Sequence, residues 1–216
     1  MPTIQYKLKD GTKVSGVTTI IGGNLGWNKQ ALMYWANQVG QEGKSHRDVA
    51  GEAATAGTIG HYLIDCNIKD KTPDLSQFKD AELISKGETC LLNFLEWKKM
   101  VNLRVHKTEV NLVSEKHKYG LTPDCIGHVI DKLALIDWKT GNGVYEDMLI
   151  QLAAYKSGWE ENYPDMPLEG GFHLLRIGKE DASFHHHHWH SLPDAWEAFE
   201  CLLKLHNIHK VLKKKV

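Results

Sequence analysis

Asp124, Asp137 and Lys139 are the residues whose types and spacing first suggest chemistry. They lie in the stretch PDCIGHVIDKLALIDWK. Residues 125–130 and 133–138 are rich in β-branched and apolar residues, and Asp131-Lys132 between them predicts a two-residue hairpin turn. With the turn there, Asp137 faces Ile126 and Asp124 is its diagonal neighbour, about 7–8 Å away at the backbone. Side chains alternate along a strand, so Asp137 and Lys139 share one face and Trp138 takes the other. Two carboxylates this close repel, and one must take up a proton unless a cation lies between them. Oxygen ligands of this kind suit Mg²⁺ or Mn²⁺. Such an ion polarises a phosphodiester and lowers the pKa of a bound water. Lys139 would orient or deprotonate that water, or neutralise charge in the transition state. Asp-x-Lys alone is common at exposed hairpin ends; the preceding Pro123-Asp124 makes the pattern specific.

Pro123-Asp124 followed by Asp137-Trp138-Lys139 resembles the motif of the PD-(D/E)XK nucleases. The wider stretch is similar to their RecB-like branch, which includes phage exonucleases, CRISPR-adaptation nucleases and the mitochondrial genome-maintenance exonuclease. In that branch the D-W-K-T strand precedes a helix carrying Q-L-x-x-Y, and Gln151-Leu152-Ala153-Ala154-Tyr155 stands in that place. Gly57-Thr58-Ile59-Gly60-His61 resembles the branch's G-T-x-x-H-x-x-x-E, with Asp65 in place of the final Glu. The resemblance implies that His61, Asp124, Asp137 and the Trp138 carbonyl hold the metal and that Lys139 is the catalytic lysine. Gln151 and Tyr155 would position the lysine, the scissile phosphate or a neighbouring strand, and Thr140 would touch DNA. Glu109 in V-H-K-T-E stands where the branch carries an acidic residue near the metal, here expected as an indirect contact. Residues 17–32 are similar to the amino-terminal segment of phage-type members. There Trp27, beside Lys29, is the candidate for stacking on an unpaired base, while most of Trp27, Tyr34 and Trp35 are expected in the core.

The implied fold is α/β, a PD-(D/E)XK restriction-endonuclease-like core with a mixed central β-sheet flanked by helices. The implied activity is that of a divalent-metal-dependent DNA exonuclease, working from ends or on single-stranded DNA in phage-type replication, recombination or repair. A same-fold endonuclease, restriction or junction-resolving, and a catalytically silent DNA-binding recombination module are the alternatives.

The elements that must position these residues are legible in outline. Residues 3–21 alternate around Asp10-Gly11 and predict a strand hairpin. A glycine-rich loop over 22–27 leads to a helix opening at Asn28. Further helices are expected over about 47–68 and 80–100, the second with a stripe of leucines. Residues 103–120 read as one alternating strand, with Glu115 and Lys116 at a surface turn. Two more strands, GGFHLLRI and ASFHHHHWHSL, precede a helix opening at Pro193. On its strand, His185 and His187 face one way and His186, His188 and His190 the other, and the tract reads as an edge or surface strand.

The chain has 216 residues, enough for one domain over 1–216, with a hairpin and helical part over 1–103 and a catalytic sheet over 104–216. A formal net charge of −1 means that any nucleic-acid surface must be local. No apolar run approaches a membrane span and no signal segment opens the chain, so a soluble intracellular protein is expected. Cys66, Cys90, Cys125 and Cys201 form no C-x-x-C pair and read as reduced core thiols, without a zinc site or an iron–sulfur cluster. The expected partner is DNA.

Overall fold

The computed structural model describes residues 4–181 and 183–216. The chain runs β1 (Tyr6–Lys7), β2 (Lys13–Val14), α1 (Val17–Asn24), α2 (Lys29–Gln41), α3 (His46–Ile68) and α4 (Ala81–Met100). It continues β3 (Arg104–Thr108), β4 (Leu112–Ser114), β5 (Tyr119–Leu121), β6 (Cys125–Val129), β7 (Lys132–Lys139) and α5 (Glu146–Asn162). It closes with β8 (Phe172–Ile177), β9 (Phe184–Trp189) and α6 (Pro193–Leu212). The central sheet has the order β3-β6-β7-β8-β9. Only β7 and β8 pair in parallel, joined by the crossover helix α5; the other neighbours are antiparallel. This is the expected α/β architecture, a mixed sheet flanked by helices.

Alternation along β7 sorts its side chains between two cores. Leu135 packs with Leu152, Phe172 and Phe199 under α5, α1 and α6. Ile136 and Trp138 pack with Ile64, Phe94 and Trp97 under α3 and α4. Asp137 and Lys139 follow Leu135 in the alternation and therefore point to the α5 side, where the apolar core stops.

Helices α3 and α4 pack closely because glycines stand at their contact. A Cβ on Gly87 would lie 2.4 Å from Ile59 Cγ2, and one on Gly60 would lie 2.9 Å from Cys90 Cβ. One turn earlier, a Cβ on Gly57 would meet Thr140 Oγ1 at 2.6 Å. The glycines of the G-T-x-x-H stretch thus let α3 lie against the end of β7. Both helices are capped: Ser45 accepts from the Asp48 amide, and Asp80 from the amides of Glu82 and Leu83.

Several sequence expectations are corrected. The β6–β7 turn is Ile130-Asp131, not Asp131-Lys132; both residues have positive φ, 48° and 68°. That is the backbone of a two-residue hairpin loop whose twist matches the strands. Ile130 is left 73% exposed, while Val129 is buried at the end of the ladder. The register becomes Ile126↔Leu135 and Cys125↔Ile136. One step further brings Asp124 opposite Asp137, where a diagonal neighbour was expected.

The β-branched run from Val17 to Ile21 is helical, because i, i+3 and i+4 spacing buries Val17, Ile20 and Ile21 together against α5 and α6. The strand expected over 103–120 divides into three. Glu109 adopts φ 50° after β3, and β4 and β5 form a separate ladder against α5. The aromatics of the amino-terminal third lie outside the core: Trp27 and Tyr34 are each 65% exposed and Trp35 is half-buried. Helix α2 buries Val39 alone. Three of the cysteines are buried, but Cys201 is exposed on α6. The histidine tract is β9, an edge of the sheet, as its pattern predicted.

Candidate active site

The site forms where β6 begins and β7 ends. Asp124 stands immediately before β6, and its Oδ2 accepts a hydrogen bond from the Trp138 amide at 3.1 Å. This bond ties the two strand ends together just past the last ladder pair. The same oxygen lies 4.0 Å from His61 Nδ1 on α3. Glu109 closes the ring from the end of β3, its amide donating to the Asp124 carbonyl at 3.2 Å. Its left-handed backbone turns it out of the strand, so the residue expected to touch a metal only indirectly comes as near as the others. Ligand atoms of His61, Glu109 and Asp124 all lie within 4.8 Å of one another.

Asp137 is buried on the α5 side, and Lys139 Nζ lies 2.6 Å from its Oδ2. This ion pair engages Oδ2, while Asp137 Oδ1 is buried without a partner among the described residues. Lys139 Nζ donates to Gln151 Oε1 at 3.1 Å, and Gln151 Nε2 donates to the Tyr155 hydroxyl at 2.7 Å. The i, i+4 spacing of Gln151 and Tyr155 on α5 makes this relay possible.

Burial and charge act strongly on these groups. Burial pushes Asp137 up to about 6; the Lys139 charge opposes it and the Asp124 charge adds to it. Asp124 is also raised by burial, against the pull of Lys139 and the Trp138 amide. Burial and then the Asp124 and Asp65 charges push Glu109 up to about 7. His61 is lowered to about 4 by burial and by the Lys139 charge, so its imidazole is neutral at pH 7 and free to act as a ligand. Burial alone would lower Lys139, but the carboxylates of Asp137 and Asp124 outweigh it and hold the ammonium above its ordinary value. The cluster therefore combines frustrated carboxylates, a neutral imidazole and a fixed cation.

That donor set fits a divalent ion. The carboxylates of Asp124 and Glu109 are hard ligands and His61 adds one nitrogen; Asp137 lies outside that trio, with Oδ2 on Lys139 and Oδ1 buried without a partner among the described residues. Asp65, at the position of the expected Glu, is instead held by Lys69 at 2.9 Å. Thr140 lies half-buried against Gly57, one residue past Lys139. Trp27 and Lys29 sit exposed at the start of α2. The indole of Trp138 is buried against Phe94, while its backbone serves the site.

Two residues near Lys139 escaped the sequence reading. Asp147, in the first turn of α5, adds to the negative charge around Lys139, and its Oδ1 is buried without a partner among the described residues. Its i, i+4 relation to Gln151 was the available signal. Arg176 on β8 sits directly across from Lys139 in the parallel ladder. Only the strand pairing could have found it.

No family model matches the chain, and no curated protein matches it. Among solved structures it is similar to a crystal structure of LHK-Exo in complex with dAMP. The identity is 16% and the TM-score 0.35, over 72% of this chain and 82% of that one. No helix among the described residues is long and apolar enough to cross a membrane.

Proposed function

We propose that this chain is a divalent-metal-dependent DNA nuclease of the PD-(D/E)XK type, acting as an exonuclease on ends or single strands. The observation that carries the reading is the meeting of Asp124, Asp137, Lys139, His61 and Glu109 at one sheet end, with Gln151 holding the lysine. A purely structural cluster would match each carboxylate with a cation, whereas here Asp124 and Asp137 share the Lys139 ammonium and Asp137 Oδ1 is buried without a partner among the described residues.

His61, Glu109, Asp124 and Asp137 would hold Mg²⁺ or Mn²⁺, with the Trp138 carbonyl as a further oxygen. When bound, the ion supplies Lewis-acid charge to a phosphodiester oxygen and acidity to a coordinated water. Lys139 is an ammonium in the pocket and directs its charge at the phosphate as negative charge develops on it. Gln151 fixes the lysine's direction, and Tyr155 fixes Gln151. Thr140, Trp27 and Lys29 would contact the strand.

The test is digestion of end-labelled linear DNA, single-stranded and duplex, beside circular single-stranded DNA. Degradation of linear DNA in Mg²⁺ or Mn²⁺, with circles intact and no turnover in excess chelator, is expected. Cut circles would make the enzyme an endonuclease, and full activity in chelator would remove the metal.

A further inference from the structure

Beside the candidate active site lies a cleft of about 600 Å³ between α2, α3 and the connection from β7 to α5. This is within the ~300–1,000 Å³ range of small-molecule pockets. Its walls are apolar and aromatic: Leu32 and Trp35 from α2, Ala53 from α3 and Tyr145 at the start of α5. Leu32 and Tyr145 are each 52% exposed, large apolar side chains turned to solvent beside a charged site. Trp35 is steadied by an edge-on contact with His46, ring centroids 6.5 Å apart. The polar part comes from Asn28 before α2 and from Asn142 and Asp147, the last two in the segment that follows Lys139. Asp147 Oδ1 is the second observation: it is a buried acceptor without a donor among the described residues.

An aromatic-walled cleft with an unsatisfied acceptor and an amide suits a flat, heteroaromatic group bearing N–H donors. Every nucleobase has π-faces, and all of them carry ring or exocyclic N–H groups on the edge used for pairing. A base inside a duplex has neither its faces nor that edge free. Taken with the nuclease reading on which it rests, we propose that this cleft is a nucleobase pocket that receives one unpaired base of the strand whose phosphate lies at Lys139. Trp35 and Tyr145 stack on the base, and Asp147 and Asn142 hydrogen-bond its edge. The enzyme's substrate class is then single-stranded DNA or frayed ends.

The test is equilibrium binding of short, fluorescently labelled single-stranded oligonucleotides in Ca²⁺, each with one abasic nucleotide moved along the strand. Loss of one base from an aromatic stack weakens binding about 5- to 150-fold. For the wild type, one abasic position is expected to show that loss, and blunt duplex is expected to bind more weakly. Tyr145→Ala and Trp35→Ala should each weaken the intact strand by a similar factor and then be nearly insensitive to the abasic position; Trp35→Phe should retain most binding. Melting curves check that the variants fold. Independent, multiplying effects of the variants and the abasic site would overturn the pocket, as would failure to bind the oligonucleotide at all. Coupled binding without cleavage in Mg²⁺ or Mn²⁺ would retain the pocket and remove the nuclease. Cleavage without coupling would do the reverse.

Discussion

Glu109 is held in the left-handed region after β3, half-buried beside Asp124, and carries a pKa pushed up to about 7. An acid whose pKa is raised by folding binds its proton more tightly when folded. Its contribution is fully present below its ordinary value of 4.5 and is lost as pH rises through about 7. His61 works in the opposite sense over an overlapping window, so the test must be differential. In metal-free protein, Glu109→Gln should melt close to the wild type near pH 4.5 and above it at pH 8. The gap follows about 2–4 °C per kcal/mol for a chain of this size. Mn²⁺ should then raise the wild type's melting temperature more than the variant's. A constant gap across pH, and equal gains with metal, would show that Glu109 faces no such charge. Gln151 makes a different kind of contribution, since it touches Lys139 and Tyr155 and leaves the acids alone. Gln151→Ala should lower kcat about tenfold or more with little change in metal affinity, and Tyr155→Phe should cost less because it removes only the acceptor of Gln151. Steady-state kinetics across a metal titration checks both; a fall in metal affinity would mean that Gln151 holds the acids.

At the scale of elements, the site depends on α3 lying close to both α4 and the end of β7. Gly87→Ala would drive a methyl group into Ile59 Cγ2, with the Gly60 amide nitrogen behind it at 3.2 Å. Overpacking of this kind costs about 1–3 kcal/mol, partly offset by alanine's better helix propensity of up to about 1 kcal/mol. Denaturant unfolding should show the loss, and adding Ile59→Ala should cost less than the sum of the two single changes. Strict additivity would mean that the two helices do not meet there. These helices were legible in the sequence because small residues over 47–68 and a stripe of apolar residues over 80–100 are local signals. Helix α1 was not, because β-branched Val17–Ile21 has strand propensity and becomes helical only through burial against α5 and α6. The β6–β7 turn was misplaced for a similar reason: Ile130 reads as strand, and only the ladder's register, which buries Val129 in one core and Leu135 in the other, puts it in the loop.

For the whole molecule, Asp124, Asp137, Lys139, His61, Gln151 and Tyr155 were singled out in the sequence, and the fold joins His61 to Asp124 and Asp137 through Lys139 and Gln151 to Tyr155. Short-range order explains this. Alternation on β7 and the i, i+4 spacing on α5 fix each side chain's direction before the tertiary fold is known. What stayed hidden depends on long-range placement: the full approach of Glu109, the register of Arg176 beside Lys139, and the cleft that α2 forms with Tyr145 and Asp147. The central claim is that Lys139 acts on the phosphate as it is cleaved, with the acids and His61 holding the metal. It is tested most directly by single-turnover cleavage of end-labelled single-stranded DNA by Lys139→Ala and Asp137→Asn, beside their binding of the same strand in Ca²⁺. Charge that meets only the transition state lowers the chemical step and spares ground-state binding. Lys139→Ala is therefore expected to lose about 10²–10³ or more in rate while binding DNA and metal nearly as the wild type does, and Lys139→Arg should recover little of the loss. Asp137→Asn should lose metal affinity as well. Near-wild-type cleavage by Lys139→Ala would contradict the account.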